Sequence, residues 1–182
     1  MKKGVFRLRN GFTIIEVSLT LAIAGLIFLM VFVALPALRR SQRDSQRRED
    51  VLTFIETVKK YQQNNRGALP TGANNPVTWN SASGATDTQS WESFYKNYLR
   101  ENFMDPNGEN YSLSVYNCDG DQVDGPCKVN TISDDVSFPN NYMMLVIKQA
   151  TCQGSQVVAT ANPRKIAVQY RLEGAGVYCA NS

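Results

Sequence analysis

A single carboxylate, Glu16, stands in a long apolar run. Residues 11–38 read GFTIIEVSLTLAIAGLIFLMVFVALPAL, and residues 17–38 carry no charge. A carboxylate deep in lipid costs about 2.5–3.5 kcal/mol, so Glu16 either lies shallow among head groups or finds a partner. The residues before it suggest one. Lys2, Lys3, Arg7 and Arg9 form a short basic leader that ends at Gly11, directly against the apolar run. A secretory signal would place its small-residue cleavage site after the apolar segment, and no such site follows Leu38. Cleavage after Gly11 would instead keep the segment and create a cationic amine on Phe12. That amine and Glu16 have opposite charges and could pair between axially staggered copies of the chain.

The other residues with chemical potential lie far downstream. Cys118, Cys127, Cys152 and Cys179 are all distal to the apolar run. An even number of cysteines there fits two disulfides in an oxidising compartment. Of three connectivities, Cys118–Cys127 with Cys152–Cys179 is preferred, because each bond closes a local loop. A four-thiolate metal site is the competitor, but no C-x-x-C pair occurs. Between the first two cysteines, Asp119, Asp121 and Asp124 with two glycines could offer oxygens to Ca²⁺. Their spacing does not match an EF-hand, and an acidic turn closed by a disulfide is the preferred reading. The chain has no histidine and no glycine-rich phosphate loop, so no enzyme and no cofactor are expected.

The sequence Gly11-Phe12-Thr13-Ile14-Ile15-Glu16-Val17, behind its basic leader and ahead of an uncharged span, resembles the processing motif of the type IV pilin family, which includes the pseudopilins of type II secretion. The resemblance covers about the first 40 residues. It implies cleavage between Gly11 and Phe12 by a prepilin peptidase, N-methylation of Phe12, and pairing of Glu16 with the Phe12 amine of an adjacent subunit. Gly25 falls where many members have a glycine and a helix that loosens in the filament. Val33 stands near where members often carry proline; here the proline is Pro36. The function implied is that of a structural pilus subunit, serving adhesion, motility or DNA uptake. The alternative is a minor pilin or pseudopilin that primes or caps a filament and binds a ligand or cargo. A signal-anchored receptor, with Gly11 never cleaved, is a third reading. The implied partners are other copies of the chain, prepilin peptidase, an assembly platform and membrane lipids.

These residues need elements to position them. The 22 uncharged residues of the span are long enough as a helix to cross about 30 Å of hydrocarbon. Beyond Pro36 the chain is free of Gly and Pro until Gly67. Val51, Leu52, Ile55, Val58 and Tyr61 recur at helical spacing as an apolar stripe. One helix over residues 12–65 is expected, bent or short of a hydrogen bond at Pro36 and closed by Gly67 and Pro70. Arginines 39, 40, 43, 47 and 48 follow the span, where they could meet anionic head groups or acidic side chains of neighbouring subunits. Residues 67–90 read as a surface loop. Ser90 then caps a short helix whose Trp91, Phe94, Tyr95, Tyr98 and Leu99 share one face as core. Asp105-Pro106-Asn107-Gly108 is a turn. Strands are expected around Tyr111–Val115, Met144–Ile147, Gln156–Ala159, Ile166–Tyr170 and Val177–Tyr178.

The expected fold is therefore α+β: a long N-terminal helix, transmembrane in its inner half and amphipathic in its outer half, packed on a small antiparallel sheet. Residues 1–11 form the leader, 12–38 the transmembrane or filament-core helix, 39–66 its amphipathic continuation and 67–182 an extracytoplasmic head. The precursor is expected in the cytoplasmic membrane with its head outside, and at the cell surface after assembly. Residues 1–66 hold 12 basic and 5 acidic side chains, whereas 67–182 hold 7 and 11. That mildly acidic head argues against nucleic acid as a partner.

Overall fold

The computed structural model describes residues 11–72, 76–78, 80, 82, 86–99, 103–118, 127, 142–174 and 176–182. The chain divides into two compact units, with the boundary between Arg40 and Ser41. Helix α1 (Ile14–Asn64) contributes its first part to one unit and the rest to the other. It continues through Pro36, whose missing N–H deprives the Phe32 carbonyl of its usual donor. At its C-terminus the Gly67 N–H bonds the Gln62 carbonyl at 2.7 Å, with Gly67 at φ +83°. That satisfies an otherwise orphaned carbonyl through two successive left-handed residues, Arg66 at φ +56° and then the glycine expected to close the helix.

The second unit, Ser41–Ser182, is a helix-on-sheet structure. A five-stranded sheet has the order β1-β2-β3-β6-β7, built from β1 (Pro76–Val77), β2 (Ser112–Asn117), β3 (Met143–Lys148), β6 (Ile166–Arg171) and β7 (Val177–Asn181). A separate hairpin pairs β4 (Ala150–Gln153) with β5 (Gln156–Ala159). The fold is α+β, but the sheet is mixed rather than antiparallel. β2 and β3 run parallel, with Leu113 opposite Met144 and Val115 opposite Val146. The 25 residues between them leave ample chain for the crossover that a parallel pair requires.

Alternation along the strands makes two apolar layers. On one face Leu113, Val115, Met144, Val146, Ile166 and Val168 join Val51, Phe54, Ile55 and Val58 of α1. The helical stripe departs from expectation at one turn: Phe54 is fully buried, whereas Leu52 is 47% exposed. Positions 51, 54, 55 and 58 keep the 3–4 spacing, and Leu52 falls a third of a turn away. On the opposite face Leu145, Ile147 and Ala167 are covered by Val157 and Ala159 of the hairpin. β5 was expected in the main sheet; it instead closes the sheet's far side. Both faces of the central strands are thus dry.

Helix α2 (Trp91–Phe94) runs into a π-helical turn, Tyr95–Leu99. Its N-cap is Ser90, whose hydroxyl accepts the Ser93 N–H at 3.2 Å. Its aromatic face is core: Phe94 meets Phe54 edge-on at 5.9 Å and Trp91 at 5.4 Å. The Tyr95 hydroxyl donates to the Tyr111 carbonyl at 2.6 Å, and burial pushes that phenol up to about 12.

Candidate functional site

In the first unit the functional residues sit on a helix with no tertiary cover. Thr13 and Glu16 close a reciprocal N-terminal cap. The Thr13 N–H and hydroxyl donate to Glu16 Oε2 at 3.0 and 2.8 Å, and the Glu16 N–H donates to Thr13 Oγ1 at 3.2 Å. The Thr-x-x-Glu spacing is that of a capping box, which supplies orphaned N–H donors at a helix start. Phe12, just outside the helix, is 89% exposed. Leu26, Phe28, Leu29, Phe32 and Val33 are exposed around the circumference rather than along one stripe. One stretch of α1 has a mean hydropathy of 2.7 and is long and apolar enough to cross a membrane as a single span. At Gly25 an added Cβ would meet nothing within 4 Å, so nothing inside one copy requires a glycine there.

In the second unit the arginines after the span divide into different duties. Arg47 is 1% exposed and grips Asp105 with a bidentate fork, Nε to Oδ2 at 2.7 Å and Nη2 to Oδ1 at 3.0 Å. Nη1 reaches Asp44 Oδ1 at 3.1 Å, and Nη2 lies 2.7 Å from Glu173 Oε1. Asp105 also accepts the Tyr170 hydroxyl at 2.9 Å. Asp44 accepts the backbone N–H groups of Glu173 and Gly174 at 2.9 and 2.8 Å. A Cβ at Gly174 would stand 2.9 Å from Asp44 Oδ2, so this approach needs glycine. Arg43 adds a second fork on Glu173, at 3.1 and 2.5 Å. Arg48 lies over the Tyr178 ring at 5.7 Å.

The electrostatics follow from this arrangement. Hydrogen bonds from Arg43, reinforced by Arg47, hold the Glu173 carboxyl down at about 2. Burial opposes the Arg47 cation, but its hydrogen bonds to Asp105 and Glu173 more than offset that and raise its pKa. Burial raises the Asp50 carboxyl, although it accepts the Tyr111 hydroxyl at 2.7 Å. One arginine thus joins α1 to the 105–108 turn, to β6 through Tyr170, and to the β6–β7 turn. The expectation that all five arginines face lipid or neighbouring subunits is corrected here for Arg43 and Arg47, which are used inside the head. The Asp44–Arg47 spacing was a visible signal; Asp105 and Glu173 carried none, being 58 and 126 positions from Arg47.

The cysteines pair Cys118–Cys127 and Cys152–Cys179. The second bond ties the β4–β5 hairpin to β7. Asp119, Asp121 and Asp124 lie outside the described residues, as does the basic leader. Among the described residues, no three histidine, cysteine or acidic side chains gather where they could hold a metal ion. No family model, curated protein or solved structure matches the chain.

Proposed function

We propose that this chain is a structural subunit of a type IV pilin-like filament. It is cut between Gly11 and Phe12 by a prepilin peptidase, methylated on the Phe12 amine, and polymerised through α1. The observation that carries this reading is the helix over residues 17–38, apolar on every side, uncharged and exposed in the single chain. Such a surface must be covered, first by lipid and then by the same surface of neighbouring copies. The motif at its start supports cleavage that retains this segment. The precursor is then a single-pass protein of the cytoplasmic membrane with its disulfide-bonded head outside. Arg39 and Arg40, both exposed, meet anionic head groups at the end of the span.

Glu16 sets the stagger. In the single chain its carboxylate is occupied by Thr13; in the filament it also neutralises the Phe12 amine of an adjacent copy. A wrong register leaves a charge unpaired in an apolar core and costs several kcal/mol. Glu16→Ala therefore leaves membrane insertion and the head's melting unchanged and abolishes ordered filaments, as read by carbonate extraction and electron microscopy of sheared cells. Normal filaments from this variant would refute the pairing. A processed chain found only in traces among sheared fibres would favour the minor pilin or pseudopilin reading.

A further inference from the structure

At the distal end of α1 a groove of about 260 Å³ opens beside Arg66. Its volume lies just below the range of drug-sized pockets, which suits a ligand of roughly one sugar ring. Three chain segments fix its walls. The Thr71 N–H and hydroxyl both donate to the Gln89 carbonyl, at 2.7 and 3.1 Å, and the Tyr61 hydroxyl approaches the same oxygen at 3.4 Å. The Trp91 N–H returns to the Thr71 carbonyl at 3.2 Å. Asn65 Nδ2 donates to the Tyr61 carbonyl at 2.8 Å, and Asn64 Nδ2 to the Tyr98 hydroxyl at 3.3 Å.

What these bonds leave unused is a matched set. Each asparagine amide commits one N–H to the protein's own framework, so a second N–H and the side-chain carbonyl of Asn64 and of Asn65 remain as donor and acceptor. The Arg66 guanidinium and the Gln89 carboxamide have no partner among the described residues. Ala68 and Leu69 supply apolar surface in the same wall. Arg66 is also held at φ +56°, one of two non-glycine residues with positive φ among those described. It is the left-handed residue that closes α1, carrying the chain to Gly67, whose N–H bonds the Gln62 carbonyl at 2.7 Å.

We infer that this groove binds one neutral saccharide residue. Sugar hydroxyls both donate and accept, which the mixed set of free acceptors and donors requires, and the C–H face of the ring covers Ala68 and Leu69. A free anion fits poorly, because the groove lies at the negative end of the α1 dipole and offers it one guanidinium. The site is independent of polymerisation and stands whether or not the chain forms filaments.

The test is saturation-transfer NMR on the full chain in detergent micelles. The probes are methyl glycosides of glucose, galactose, mannose and N-acetylglucosamine, with glucuronate as an acidic control. At least one neutral glycoside gives transfer at millimolar concentration, and Gln89→Ala weakens it at least tenfold without moving the melting midpoint. Arg66→Gly weakens it similarly while raising the midpoint by about 1–4 °C, since glycine adopts positive φ freely. No transfer from any neutral glycoside, transfer from glucuronate alone, or transfer unchanged in both variants would overturn the inference.

Discussion

The two parts of α1 obey different rules, though one helix contains both. Residues 17–38 are apolar on every face and exposed; residues 41–64 carry an apolar stripe of five buried side chains with polar residues opposite. Helix propensity is adequate in both. The difference lies in where stability comes from. The head-bound part is held by side-chain burial against a sheet and by a buried arginine. The apolar part has only its own backbone hydrogen bonds in the single chain. Substitutions should therefore separate the two cleanly.

The largest effect is expected at Arg47. Arg47→Ala leaves Asp105 and Asp44 buried without their cation and destabilises the head by about 3–5 kcal/mol. Thermal or denaturant unfolding followed by near-UV circular dichroism reads the loss, while carbonate extraction still finds the chain membrane-inserted. A head of unchanged stability would mean that the arginine network does not carry the junction.

A paired comparison sharpens the contrast. Phe54→Ala removes a fully buried ring that contacts Trp91, Phe94 and Phe103, and costs about 3–5 kcal/mol. Phe28→Ala removes a ring of the same type that is 63% exposed, and leaves the head's unfolding midpoint where it was. Equal losses from the two would erase the distinction between the parts.

The smallest effect is a pH dependence confined to the head. Because Glu173 is held at about 2 when folded, its contribution is complete above the ordinary carboxylate range near 4.5. It is lost as pH falls from there towards 2, since the unfolded chain takes up the proton first. Glu173→Gln should flatten the acid limb of the stability curve between those values. Arg43 is partly solvent-screened, so the change is modest.

Much of this was legible in the residues. The span shows itself by length and lack of charge, the Ser90 cap by residue type, the first long strand by alternation, and others by short apolar runs between turn signals. Three features were not. β1 is two residues long, and β4 sits in a stretch, Ala150-Thr151-Cys152-Gln153, with no alternation of polarity. The parallel pairing of β2 with β3 is a property of a long connection, which a strand's own pattern does not encode. Arg47 looked like one member of a solvated basic cluster. Its burial depends on Asp105 and Glu173 arriving from distant positions, and only the tertiary fold brings them together. Leu52 departs for a simpler reason: it is apolar but lies out of phase with the buried stripe, so its side chain stays exposed. The fate of Glu16 is different again, because the residues nominate a partner that no single chain contains.

The most direct measurement is therefore mass spectrometry of the N-terminus and abundance of this chain in fibres sheared from cells. An abundant chain beginning at methylated Phe12 is the result predicted for a filament subunit built through α1. A chain that retains its leader through Gly11 in every fraction would contradict it.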